Sequence, residues 1–113
     1  MVRASQTVIV SCEELIPSDE IRRNPERTTI PYIYLSAVVH QPWGAHPTSV
    51  YRYYQNDAEH MRYYQKCARE GGQAFQDYVE KYIYSSSTFD DYLEKVGGLK
   101  KYNRLHQEMM EVL

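Results

Sequence analysis

The chain has 113 residues, of which 42% are hydrophobic and 25% are charged, a balance typical of one globular domain. Its formal net charge of −2 offers no basic field to nucleic acid or anionic lipid, and no apolar run approaches the roughly 20 residues that a membrane span needs. The N-terminus lacks a cleavable signal pattern, and Cys12 and Cys67 form neither a CxxC pair nor a metal-binding spacing. These features predict a cytoplasmic protein without a cysteine metal site, and we also expect no tightly bound cofactor.

Two strands are predicted in the first third of the chain. Residues 7–12 are apolar and rich in β-branched side chains, which is typical of a strand covered on both faces. A single helical turn is expected at 19–23 and a short extended piece at 28–30. The second strand is expected within residues 32–40, with its centre at 35–39.

Four helices are predicted after residue 49. Asn56 and Glu59 form a capping-box pattern at the start of the first helix, and Thr88 and Asp91 cap the third. Glycine pairs end the first and third helices. Apolar residues at helical spacing are expected to face the core. These are Met61, Tyr64 and Ala68, then Phe75, Tyr78, Val79, Tyr82 and Ile83, then Phe89, Tyr92, Leu93 and Val96, and finally Leu99, Tyr102, Leu105, Met109 and Leu113.

The order of elements predicts an α/β fold in which a small sheet of two to four strands precedes a helical C-terminal half. We expect a single domain over residues 1–113, with a strand and loop part at 1–49 and a helical part at 50–113. So small a sheet has unpaired edges, which favour association. Twelve tyrosines against two phenylalanines suit either a half-buried subunit interface or a small core in which Tyr replaces Phe. We therefore expect that the isolated chain self-associates, or that the sheet continues in other polypeptide.

The most distinctive segment is the loop after the second strand, which contains Trp43, Gly44, Ala45, His46 and Pro47. Conformationally constrained residues at a strand end are common where ligands or subunits make contact. We predict that these five residues form a substrate or interface loop. His46 could hydrogen-bond a ligand or fix the loop, and both alternatives are open at this point.

Candidate catalytic residues are few. Glu13 and Glu14 follow the first strand, but neighbours on a strand point to opposite faces, so they are either solvated acids or strand-end acids beside a ligand. His40 and His46 match no zinc spacing, and the chain has no phosphate-binding loop and no Ser/His/Asp or Cys/His nucleophile pattern. No catalytic residue and no metal ligand is therefore predicted. The pair Lys100-Lys101 is interpreted as part of a solvated face.

Several ordered blocks resemble the C-terminal part of an alpha subunit of the family I CoA-transferases, of the glutaconate CoA-transferase type. The blocks are VIVSCEEL at 8–15, IRRNPERTTIP at 21–31, AVVHQPWGAHPTS at 37–49, YYQNDAEHMRYY at 53–64 and FQDYVEKYIYSSSTFDDYLEKVGG at 75–98. They cover nearly the whole chain. A lesser resemblance is to the alpha subunit of a related CoA-dependent ring-opening hydrolase.

The resemblance implies an acyl-CoA:carboxylate CoA-transferase made of alpha and beta subunits, with coenzyme A as part of the substrate. In such enzymes a glutamate of the beta subunit carries CoA as a thioester, which divides one difficult exchange into two easier steps. No residue of this chain matches that glutamate's motif, so neither Glu13 nor Glu14 is given the role. The resemblance therefore implies a C-terminal piece that is inactive alone and binds both a beta subunit and the rest of an alpha subunit. A non-catalytic interaction domain derived from the family is the alternative.

Overall fold

In the computed structural model, which describes residues 4–113, the chain divides into two compact units, Met1–Gly44 and Ala45–Leu113. We call these the N-terminal unit and the C-terminal unit. The division lies inside the predicted strand-end loop, so Trp43 and Gly44 fall in one unit and His46 falls in the other. Each unit is therefore described by itself.

The N-terminal unit is built around two parallel strands, β1 (Ile9–Cys12) and β2 (Ala37–His40). The register pairs Ile9 with Ala37 and Cys12 with His40. Helix α1 (Ser18–Arg23) and two 3₁₀ turns, Pro25–Arg27 and Tyr32–Tyr34, lie in the crossover between the strands. A parallel pair requires such a crossover, because the chain must return to the same end of the sheet. The small strand-first sheet is confirmed, at the lower limit of the predicted strand count.

The second strand, Ala37–His40, lies within the predicted range of residues 32–40 and occupies its later half. Pro31 has a φ of −63° and precedes a 3₁₀ turn in which the Leu35 N–H donates to the Tyr32 carbonyl at 3.0 Å. The first residues of the predicted range therefore form a turn and not strand, because the fixed φ of proline suits the start of a tight turn. Within the short piece predicted to be extended at 28–30, Thr28 has an extended backbone, with a φ of −74° and a ψ of 115°.

The C-terminal unit is helical: α2 (Ala58–Glu70), α3 (Gly72–Val79), a π-helical turn (Glu80–Tyr84), α4 (Phe89–Val96) and α5 (Gly98–Val112). Gly71 ends α2 with a φ of 64°, and Gly97 ends α4 with a φ of 150°. Both values lie in the left-handed region that glycine adopts without a steric cost. The glycine pairs thus stop the helices where the sequence predicts.

One predicted cap is confirmed and one was wrong. Thr88 Oγ1 accepts from the Asp91 N–H while the Asp91 carboxylate accepts from the Thr88 N–H, which completes a capping box. At the start of α2 the N-cap is Asp57 rather than Asn56, because the Asp57 side chain accepts from the His60 N–H. The helix therefore begins one residue later than the Asn56–Glu59 pattern indicates.

The core lies in the C-terminal unit. Its buried hydrophobic residues come from every helical segment and from the turn before α2; they are Tyr54, Cys67, Tyr78, Tyr82, Leu93, Val96, Tyr102, Leu105 and Met109. The predicted inner face of α2 was wrong, because His60 and Cys67 are buried whereas Tyr64 and Ala68 are exposed. Four further positions predicted for the core are exposed: Phe75, Ile83, Leu99 and Leu113. Within residues 4–113 no helix combines the length and apolarity required to cross a membrane.

Candidate functional site

The two residues of the predicted loop that belong to the N-terminal unit are held by local hydrogen bonds. The Trp43 N–H donates to Glu13 Oε2 at 2.7 Å, and the Gly44 N–H donates to the Gln41 carbonyl at 3.0 Å. A β-carbon on Gly44 would lie 2.8 Å from the Gln41 carbonyl oxygen, which is too close for any other residue without a backbone shift. Glycine is therefore required here by close approach of the backbone.

In the C-terminal unit the loop delivers His46 to a buried polar cluster. The His46 side chain is 1% exposed and hydrogen-bonds through both ring nitrogens, with Nδ1 2.7 Å from the Tyr92 hydroxyl and Nε2 2.9 Å from Asp57 Oδ2. On either side of it, the Ala45 N–H donates to the Tyr54 hydroxyl and the Pro47 carbonyl accepts from the Asp57 N–H. The loop and the start of α2 are thus tied together by main-chain and side-chain bonds.

Asp57 is the centre of this cluster, and its side chain is fully buried. Besides His46, Oδ2 accepts from Lys101 Nζ at 3.0 Å, and Oδ1 accepts from the His60 N–H at 3.1 Å. Three donors for one carboxylate compensate the loss of hydration that burial imposes. The position of Asp57 as N-cap of α2 adds a favourable interaction with the positive end of the helix dipole.

His60 forms the second buried imidazole. Its Nε2 lies 2.7 Å from the Tyr78 hydroxyl, and its ring contacts those of His46 and Tyr82 edge-on, with centroids 5.1 and 5.0 Å apart. Edge-to-face rings are the favourable arrangement for such pairs. Among the residues that the structure describes, no buried side-chain nitrogen or oxygen lacks a hydrogen-bond partner. The buried polar side chains of the cluster therefore already find their hydrogen-bond partners within the protein.

Burial and these hydrogen bonds set the protonation states of the titratable side chains in the cluster. Burial acts to raise the pKa of Asp57, but the hydrogen bonds from His46 and Lys101 outweigh it and lower the pKa to about 2. Burial lowers the pKa of His46, and it lowers that of His60 to about 4. Near neutral pH the cluster thus contains Asp57 as carboxylate, Lys101 as ammonium and two neutral imidazoles. Since Asp57 can only accept, His46 Nε2 carries the proton and Nδ1 accepts from the Tyr92 hydroxyl.

Three members of the cluster, His46, Asp57 and His60, are of metal-ligating type, and their ligand atoms all lie within 4.8 Å of one another. Both ring nitrogens of His46 and both oxygens of Asp57 are already engaged in hydrogen bonds, and Lys101 Nζ lies 3.0 Å from Asp57 Oδ2, so a divalent ion could enter only by displacing some of these contacts. The lysine ammonium already supplies the positive charge that Asp57 requires. The residues therefore fit an internal ion pair better than a metal site.

A hollow of about 410 Å³, which we call the tyrosine hollow, lies beside this cluster. It is predominantly apolar, and two residues of the π-helical turn, Tyr82 and Ile83, help to line it. The other lining residues are His46, Tyr78, Ser86, Thr88, Phe89 and Tyr92. Burial raises the pKa of Tyr78 to about 12 and raises that of Tyr92 as well, so both hydroxyls remain protonated donors near neutral pH. The hollow therefore offers ring surfaces and no charged group.

Three residues of the cluster were missed by sequence reasoning. The interpretation of Lys101 as a solvated residue was wrong, because its side chain is 14% exposed and its ammonium contacts Asp57. Asp57 and His60 were not predicted, because the capping-box pattern of Asn56 and Glu59 predicts Asn56 as the N-cap. An Asp three residues before a His at a helix start is a signal for the cap, but nothing in the sequence connects either residue with Lys101 across the intervening chain.

The predicted strand-end acids lie in the N-terminal unit. Glu13 contacts the loop through the Trp43 N–H, and its carbonyl lies 3.1 Å from His40 Nε2. Glu14 lines a second hollow, of about 700 Å³, over the crossover side of the sheet. The assignment of Trp43, Gly44, Ala45, His46, Pro47, Glu13 and Glu14 to a substrate or interface site stays a prediction.

Comparison with known proteins gives three sequence relatives. A protein of Archaeoglobus fulgidus described as uncharacterized is 41% identical over 95% of this chain, which corresponds to 24% of that protein. The alpha subunit of glutaconate CoA-transferase from Acidaminococcus fermentans is 33% identical over 91% of this chain, and the alpha subunit of 3-oxoadipate CoA-transferase from Pseudomonas knackmussii is 28% identical over 83%. This chain covers 32% of each of the two transferase subunits. No protein-family model matches it.

The fold comparison agrees with the sequence comparison. The crystal structure of glutaconate coenzyme A-transferase from Acidaminococcus fermentans superposes with a TM-score of 0.83 at 33% identity, over 92% of this chain and 32% of that one. The similarity is to the C-terminal part of the subunit. The chain thus spans about a third of the length of the transferase subunits that it matches.

Proposed function

We propose, from the homology of this chain to part of the CoA-transferase alpha subunits, that it functions as one portion of an acyl-CoA:carboxylate CoA-transferase. The observation that supports the proposal most strongly is the agreement of sequence and fold: 33% identity over 91% of the chain and a TM-score of 0.83 with the same protein. Two relatives with different acyl groups in their names, glutaconate and 3-oxoadipate, are both transferases. Their shared description favours CoA transfer over ring-opening hydrolysis.

The proposed chemistry takes place on a carboxylate of another polypeptide. Attack of that carboxylate on the acyl-CoA carbonyl expels the CoA thiolate and leaves a mixed anhydride. The thiolate then attacks the glutamyl carbonyl of the anhydride, which releases the first carboxylic acid and leaves CoA on the enzyme as a thioester. The acceptor acid repeats the two steps in reverse. Coenzyme A enters only as part of the substrates.

The role proposed for this chain is to complete the folded enzyme and to present one wall of its site. The buried Asp57–His46 pair fixes the segment from Ala45 to Pro47 rigidly, as a wall of a binding site requires. Trp43 and Gly44 are fixed in turn by Glu13 and Gln41. The partners in this proposal are a beta subunit and the rest of an alpha subunit. We also propose that the enzyme acts in the cytoplasm.

Isotope exchange tests the function. The chain is purified alone and, separately, with the alpha and beta polypeptides of its source, and transfer of CoA from acetyl-CoA to radiolabelled carboxylic acids is measured. We expect exchange only in the complex, with an acyl-CoA-dependent thioester that borohydride reduces and that mass spectrometry locates on the other polypeptide. Robust exchange by the chain alone, or a thioester on Glu13 or Glu14, would contradict the proposal. Ring cleavage with uptake of oxygen from labelled water, without exchange, would support the hydrolase alternative.

A further inference from the structure

The N-terminal unit has no buried residue in the part that the structure describes, residues 4–44. Its strands carry large apolar side chains that are open to solvent: Ile9 is 66% exposed and Val38 is 50% exposed. Parallel sheets occur almost only with both faces covered, since the crossovers that join their strands lie on the faces. Two parallel strands in water bury too little surface to be stable by themselves. This surface therefore needs a cover.

Each face of the strand pair offers apolar surface. Side chains alternate along a strand, so the register places Val10, Cys12 and Val38 on one face and Ile9 and Val39 on the other. The first face forms the floor of the hollow of about 700 Å³, whose walls come from the crossover and include Leu15, Ile16, Ile21, Ile30 and Leu35. The second face carries the exposed Ile9 and Val39.

Among residues 4–113, no backbone group bonds to the backbone groups along the outer edges of the pair. The Ala37 and Gln41 N–H groups donate to the Val8 and Cys12 carbonyls, so the regular parallel ladder directs the odd-numbered residues of β2 and the even-numbered residues of β1 inward. The N–H and C=O groups of Ile9 and Ser11, and those of Val38 and His40, consequently point outward. Among residues 4–113 no third strand pairs with either edge.

We propose that this bare strand pair is the docking surface for the remaining part of an alpha-subunit fold, a polypeptide that adds a parallel strand to at least one edge and covers the Ile9–Val39 face with helices. The inference rests on the proposed function and names the contact surface of its first partner. This chain spans 32% of each of the two transferase subunits, so the part of each subunit outside the match is about twice as long as the matched part. Backbone donors and acceptors at strand spacing select another strand, not a small molecule or a lipid.

A second copy of this chain fits the surface less well. A two-fold dimer uses the same edge of both copies, so the other edge of each copy stays open. In such a dimer the outer edge of β1 or the outer edge of β2 would be paired, but not both. A longer partner with its own parallel strands can satisfy an edge and a face together, which is how strands buried on both faces are normally accommodated.

The test uses the full chain and, as the partner, the part of the Acidaminococcus fermentans glutaconate CoA-transferase alpha subunit that lies outside the matched segment. The two are co-expressed, and the matched segment of that subunit serves as the positive control. We expect a one-to-one complex by light scattering. We also expect hydrogen exchange of the outward amides at Ile9 and Ser11, or at Val38 and His40, to slow at least about 100-fold on binding.

Variants locate the contact. Val38→Pro and Ile9→Pro each remove an outward N–H that the pair itself does not use, so the edge that binds a strand is the one whose variant weakens the complex at least about tenfold. Val39→Glu places a charge on the bare face and is expected to abolish binding. Val112→Glu, at another exposed valine in the C-terminal unit, is the matched control and should bind normally.

Several outcomes would overturn the inference. One is failure of this chain to bind while the positive control binds, and another is normal binding by both proline variants and by Val39→Glu. Slow exchange of all four outward amides in the isolated monomer, or a dimer that protects them, would show that the cover is internal or a second copy. Because these readouts measure association, a complex that forms but transfers no CoA would contradict the proposed function and leave the docking surface intact.

Discussion

The two units of this chain are stabilised in different ways. The C-terminal unit contains nine buried hydrophobic residues and a buried cluster of mutually hydrogen-bonded polar side chains, whereas the N-terminal unit has no buried residue between positions 4 and 44. Both contain apolar residues, and the two strands, IVSC and AVVH, are more apolar than helix α2. Helices satisfy their backbone internally and can bury one face against each other, while a parallel strand pair needs further strands and a covering layer. A high content of apolar residues therefore does not by itself give a region a stable core of its own.

The largest expected contrast is in hydrogen exchange of the isolated chain. We expect the amides of β1 and β2 to exchange at least about 100-fold faster than those of α5 around Tyr102 and Leu105, since the strands lack a core. Exchange measured by NMR at neutral pH and low temperature checks this. Comparable protection of the amides in both units would contradict this difference and would mean that the strands are covered within the chain.

Within the C-terminal unit, Asp57→Ala is expected to be the most damaging substitution. It leaves Lys101 and His46 buried without their partner and removes the N-cap of α2, a loss of about 3–5 kcal/mol in the free energy of unfolding. Asp19→Ala, whose exposed carboxylate pairs with Arg22, is the control and should cost less than about 0.5 kcal/mol. Urea unfolding followed by tyrosine fluorescence measures both. Equal stability of the two variants would contradict a central role for Asp57.

Acid should weaken the C-terminal unit through His60. Its pKa falls from 6.5 in the unfolded chain to about 4 in the fold, so the unfolded state binds the proton first. The stabilisation is complete above about pH 6.5 and is lost as the pH falls toward 4, by an amount on the order of 3 kcal/mol. Asp57, with a pKa lowered to about 2, contributes a further loss only below about pH 4. Unfolding free energies from pH 8 to pH 3 test this, and His60→Gln should flatten the upper part of the curve.

The smallest expected effect is the difference in stability cost between alanine substitutions at two valines, one in each unit. Val96→Ala removes methyl groups from the buried core and should cost about 2 kcal/mol, whereas Val39→Ala on the exposed strand face should change stability by less than about 0.5 kcal/mol in the isolated chain. Thermal unfolding of the two variants gives the difference. In the presence of the partner proposed above, Val39→Ala should acquire a cost of its own. An equal cost of both substitutions in the isolated chain would show that the strand face is already buried.

Local chemistry made much of the helical part predictable. The Thr88–Asp91 capping box and the terminal glycines act within a few residues, so the sequence is sufficient to place them. The same local reasoning failed at the start of α2, where two signals competed, because Asn56 and Asp57 can both cap a helix. Helical periodicity found the buried Tyr78, Tyr82, Leu93 and Leu105, but periodicity could not tell which flanking apolar residues stay exposed.

The amino-acid sequence was enough to predict the order of strands and helices, the glycines at which two helices end and the resemblance to CoA-transferase alpha subunits, because these depend on neighbouring residues or on ordered motifs. The folded structure was needed to show that His46, Asp57 and Lys101 meet, since attraction between charges depends on distance in space and not on separation along the chain. It also decided that the strand pair lies bare. Whether an apolar strand is covered depends on the other elements that pack on it, which its own residues do not specify.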